Sequence, residues 1–180
     1  MLVGLGLADL LMSVHRLLRA RRIVRWDWLP LAAALLAALL ILDLWWGFYG
    51  HLGMATVTFG AFLPAIVQLI FLFLLTAAVL PDRVPPEGLN LRAYYEGNRT
   101  YFWVLLAGYI VTILTYNASN YAFGGTAPLA VLRDFLPNLF LLSLCIGLAV
   151  SGRRAFHAIA LLFLVAVSIA MWWGRQLGPM

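Results

Sequence analysis

The chain has no lysine: all 12 of its basic residues are arginines. A retinal or other aldehyde therefore cannot be held on it as a lysine Schiff base. There is one cysteine, Cys145, so an internal disulfide is excluded. It lies in an apolar run, where a thiol is expected to be buried and inert. Charge of either sign is scarce. Seven acids and 12 arginines make up 11% of 180 residues, against about 25% in soluble domains. That shortage excludes an ordinary soluble globule, a disordered chain and a nucleic-acid binder with a charged surface. Also missing are the zinc-protease histidine pair, the phosphate-cradling P-loop and the Gly-x-Ser-x-Gly elbow. No cofactor and no enzyme activity are expected.

What is abundant is apolar. Hydrophobic residues make up 64% of the chain, and its mean hydropathy is +0.96. A helix needs about 20 residues to cross the hydrocarbon of a bilayer. The chain therefore has room for five or six crossings in a single domain and little else. Clear apolar runs occupy residues 28–49, 56–80, 102–118, 128–150 and 155–173. Tryptophans cluster at their ends: Trp26, Trp28, Trp45, Trp46, Trp103, Trp172 and Trp173. Indoles prefer the headgroup level of a membrane.

Residues 2–18 form a shorter apolar run. At 1.5 Å per residue they reach about 26 Å, marginal for a core of roughly 30 Å. Gly6, Asp9, Ser13 and Arg16 recur at helical spacing. The preferred reading is a sixth crossing with this stripe turned toward the other helices, giving an all-α, polytopic six-helix bundle. The alternative is five crossings with an N-terminal helix lying in the interface. The positive charges follow this run instead of preceding it, so no cleaved signal is expected.

Counted by alternating side, the arginines divide ten to two. Arg16, Arg19, Arg21, Arg22, Arg25, Arg83, Arg92, Arg99, Arg153 and Arg154 share one side; Arg133 and Arg175 take the other. The bias of cytoplasmic loops toward positive charge puts residues 19–27, 81–101 and 151–154 inside. The protein is thus expected in the inner (plasma) membrane, with the lipid bilayer as its partner and no nucleic acid. A homo-oligomer or a membrane-protein partner is compatible with this.

The long inner stretch, residues 81–101, opens with Pro81, Pro85 and Pro86, which a helix accommodates poorly. Asn90 is placed to cap a short helix in which Leu91 and Tyr95 share one face and Arg92 and Glu96 another. That helix is expected to lie on the headgroups, or the stretch is a linker with an aromatic anchor. Two segments end alike, in Trp45-Trp46-Gly47 and Trp172-Trp173-Gly174. A parallel repeat would produce this, and so would the interfacial preference of tryptophan.

The order Gly4-Leu-Gly6-Leu-Ala-Asp9-Leu-Leu, the basic run from Arg19 to Arg25, Trp45-Trp46 and Leu91-Arg-Ala-Tyr-Tyr95 resembles a group of bacterial multi-helix membrane proteins with no assigned activity. The resemblance covers about the first two thirds of the chain. It implies a topology and no catalytic role.

Three histidines, His15, His51 and His157, are too few and too dispersed for a metal set of three or four donors. They are expected to hydrogen-bond headgroups or backbone. Asn98-Arg-Thr100 and Asn117-Ala-Ser119 match the glycosylation sequon, which is common by chance. Intramembrane polarity is more informative. Asp43, Arg133 and Asp134 each fall about 10 Å below the outer boundary at 1.5 Å per residue. Gln68 and Asn138 share that outer half, and Pro64 and Pro137 free backbone carbonyls nearby. Asp9 falls near the midplane if residues 2–18 cross. Charges so placed are costly and tend to mark pathways. A structural ion pair between helices accounts for them as well. Two functions follow: a non-enzymatic bundle serving as an accessory or assembly component, and a small transporter or channel with an outer polar cavity for a cation, proton or small ligand.

Overall fold

The computed structural model describes residues 2–50, 59–124 and 128–173. Among them are six helices: α1 (Leu2–Arg19), α2 (Trp28–Gly50), α3 (Phe59–Val79), α4 (Leu91–Gly124), α5 (Pro128–Val150) and α6 (Arg154–Trp173). The all-α expectation holds. Four of the helices are long and apolar enough to cross a membrane: those containing residues 28–47, 91–118, 131–150 and 154–173. In α3 the apolar stretch, Leu63–Val79, is shorter.

Local chemistry explains where the helices begin. Asp27 Oδ1 accepts the Leu29 N–H at 2.9 Å, capping α2. Asn90 Oδ1 accepts the amides of Arg92 and Ala93, capping α4 as its position suggests. Ser151 Oγ accepts the Arg153 amide just ahead of α6. The helix after Asn90 is not a short separate one, however. It runs on for 34 residues through the apolar run. No proline follows Pro86 before the helix ends, and Gly97 alone does not break it. Its first turns carry the expected faces: Leu91 and Tyr95 are buried, and Arg92 pairs with Glu96 at 2.9 Å in the open.

Helix α2 is central, packed against α1, α3, α4 and α6. Its buried face holds Leu29, Ala33, Leu36, Ala37 and Ile41, a helical stripe whose alanines let neighbours approach closely. Helices α4 and α5 form an antiparallel pair, joined by the Thr100 hydroxyl to the Ala149 carbonyl at one end and by Tyr121 against Phe135 at the other. Helices α2 and α6 run parallel and in register. Asp27 pairs with Arg154 where both begin, and Trp46 meets Trp172 with ring centres 5.7 Å apart near their ends. Trp46 and Trp172, one from each Trp-Trp pair, thus lie side by side.

Helix α1 belongs to the same bundle. Gly6, Leu10, Ser13 and Leu17 face inward against α2 and α3, and a β-carbon on Gly6 would lie 3.2 Å from Ile41. The outer faces of the helices stay apolar. Leu5, Leu11, Met12, Val104, Leu136, Phe140, Ile159 and Leu162 are all exposed.

Candidate functional site

The three arginine-bearing connections gather at one end of the bundle. Val24–Arg25 and Leu89–Asn90 form a two-residue parallel bridge, with Val24 opposite Leu89. Arg154 Nη2 meets Asp27 Oδ2. The Arg99 guanidinium lies over Gly152. Arg16 donates through Nη1 to the Asp82 carbonyl at 2.9 Å. The loops grouped by counting alternate segments are therefore grouped in space.

An open groove of about 1070 Å³ lies between α1, α3 and the segment that follows α3. Arg16 and Arg19 line it from α1, and Arg83 from the segment after α3. Phe73, Ala77 and Val84 supply apolar wall. Asp82 sits at the arginine end, and Asp9 lies two turns deeper along α1. Asp9 is half-buried and, among the described residues, makes no hydrogen bond or ion pair. The arrangement sets three cations and an acid at a mouth, an apolar wall beside them, and a second acid further in.

At the same end of the bundle lies a buried polar knot. His157 is 1% exposed. Its Nδ1 accepts the Trp103 indole N–H at 3.0 Å and lies 3.0 Å from the Tyr95 hydroxyl. Its Nε2 is 2.9 Å from the Ser151 carbonyl, which can only accept. The partners fix the proton on Nε2 and leave the ring neutral. This knot clamps the start of α6 to α4 and uses every polar atom of the imidazole, so it reads as structural.

The outer polar set separates. Asp43 is half-buried on α2, Arg133 is exposed on α5, and those two helices share no packed interface among the described residues. Gln68 is half-buried on α3, and Asn138 half-buried on α5. The side chain of Asp134 lies outside the described residues, as do His51, Met54 and Arg175. His15 is exposed on α1, which packs on α2 and α3, so it does not join His157. Cys145 is buried, as expected. Pro64 and Pro137 sit inside α3 and α5.

Of the described sequence candidates, Asp9 alone lines the groove. Its companions Arg16, Arg19 and Arg83 were legible as topology signals and not as a site, and Asp82 was not singled out. The spacing of Asp9 and Arg16, two turns apart on one helix face, was the available clue. Nothing in the sequence reports that residues 82–84 fold back along α1. Comparison with known proteins finds no family model, no curated protein and no solved structure that matches the chain.

Proposed function

We propose that the chain is a multi-pass protein of the inner (plasma) membrane whose six helices form a non-enzymatic bundle, an accessory or assembly component. The register of α2 and α6 carries this reading. Their ion pair and their tryptophan contact are 19 residues apart on one helix and 18 on the other. That is about 28 Å at 1.5 Å per residue, close to the roughly 30 Å of bilayer hydrocarbon. Charge at one end and indoles at the other suit the two boundaries. The exposed apolar faces between them suit acyl chains far better than water. Packing of α1 along α2 and α3 favours six crossings, with the N-terminus outside. The buried polar atoms of the His157 knot bond to one another and to backbone, and Arg154, though its Nη1 is buried without a partner, holds Asp27 through Nη2, which favours a scaffold over a reaction centre.

The test is labelling of a single cysteine placed at Glu87, which is exposed, in a Cys145→Ala background. A membrane-impermeant maleimide should modify it only after cells are opened. Modification in intact cells would invert the topology, and recovery of the chain in the soluble fraction would end the membrane reading.

One observation favours a second reading, a small transporter. Asp9 is an acid without a partner among the described residues, reached from a groove. Flux of protons or cations into liposomes carrying the protein, lost on Asp9→Asn, would support transport. Flux equal to that of empty liposomes would remove it.

A further inference from the structure

We infer that the groove between α1 and α3 is a seat for one anionic phospholipid of the leaflet at the arginine end. The inference rests on the membrane placement proposed above and adds an occupant to it. Three arginines, Arg16, Arg19 and Arg83, line the groove against two acids, Asp82 and Asp9, so its described lining carries more cations than acids. Arginine presents a planar fork suited to phosphate oxygens. Arg16 is already held in place by its bond to the Asp82 carbonyl, which leaves its other nitrogens to act in a defined position. Phe73 and Ala77 continue the groove with apolar wall along α3, where an acyl chain can lie. The volume, about 1070 Å³, exceeds what a free phosphate would fill. Charge and wall together therefore favour an amphiphile with an anionic head over a soluble anion. The lipid seat does not need Asp9, so it is independent of the transport reading.

The experiment uses the full chain, extracted in mild detergent from membranes. Lipid retained by the protein is read by native mass spectrometry, and thermal stabilisation by mixed micelles of phosphatidylglycerol is compared with that by phosphatidylcholine. Wild type should keep one phosphatidylglycerol and be stabilised by it selectively. Arg19→Gln/Arg83→Gln, which leaves the Arg16 bond intact, should lower its apparent affinity about tenfold. Ala77→Phe, which keeps every charge and fills the wall, should expel it. Arg21→Gln/Arg22→Gln removes the same charge at the same end, from exposed residues outside the groove, and should leave retention unchanged. Equal loss in both arginine pairs would reduce the effect to general surface charge and overturn the seat, as would retention unaffected by Ala77→Phe. Equal stabilisation by glycerol phosphate would overturn the lipid and leave a site for a soluble phosphate. A chain found in membranes but holding no lipid refutes the seat alone; a chain not found in membranes refutes the reading beneath it.

Discussion

At Gly88 the backbone leaves no room for a side chain. Its φ is +103°, and a β-carbon there would stand 2.8 Å from the Ile23 carbonyl oxygen. The same carbonyl accepts the Leu89 amide at 3.1 Å, and Gly88 closes a turn on the Pro85 carbonyl. Gly88→Ala therefore meets two costs together, a left-handed backbone for an L-residue at about 1–2 kcal/mol and a collision with backbone that cannot swing aside. We expect a lower melting temperature and loss of the strand bridge. The melting temperature in detergent checks the first, and amide exchange at Leu89 the second. A variant that melts with wild type and protects Leu89 equally would show that the turn relaxes freely. From the sequence Gly88 reads only as part of a proline-rich turn. Its partner Ile23 is 65 residues earlier, and no local pattern records that approach.

Helix starts show which elements can be read in advance. Asp27 and Asn90 each stand just before a helix and carry the side-chain oxygen that free amides require. The runs of α2, α5 and α6 were legible to within a residue or so, because long apolar stretches dominate them and the few polar residues, such as Asp43 and Arg133, do not break the helices. The start of the long helix α4 was misjudged, since Arg92, Glu96 and Arg99 suggest a surface segment. They are instead in the first turns of one continuous helix, with Arg92 and Glu96 on its open side and Arg99 against Gly152. Asp27 does a second job that its capping role hides, holding Arg154 across the bundle. The two roles separate by substitution. Asp27→Asn keeps a good cap and loses the charge; Asp27→Ala loses both. Both should destabilise, and Ala should exceed Asn by about 1 kcal/mol, the usual value of a cap. Arg154 is about one third exposed, so solvent moderates the loss of its partner. Equal melting temperatures for the two variants would mean that the cap contributes nothing.

For the whole molecule, the arginine end and the outer polar residues fared differently. Counting charges by alternating side works because the helices do alternate, and the bridges among the three loops bear it out. Grouping Asp43 with Arg133 by depth does not say which helices are neighbours. Helix α5 packs on α4 and α6, away from α2. Asp43→Leu and Arg133→Leu should therefore change stability independently, their effects adding to within about 0.5 kcal/mol in the double variant. Melting of the four proteins tests this. A coupling of 3 kcal/mol or more, the scale of a broken buried pair, would require the two to meet.

The partnership of α2 with α6 also has a consequence in time. Asp27 and Arg154 are separated by 127 residues. At about 5–20 residues per second of synthesis, Arg154 is made roughly 6–25 s after Asp27. Throughout that interval the second helix to be made stands with its acid unanswered and the side reserved for the last helix bare. The growing chain is thus unfinished at its centre until α6 is made. Any factor that shelters exposed apolar helix faces would find its longest-lived target on that one face of α2.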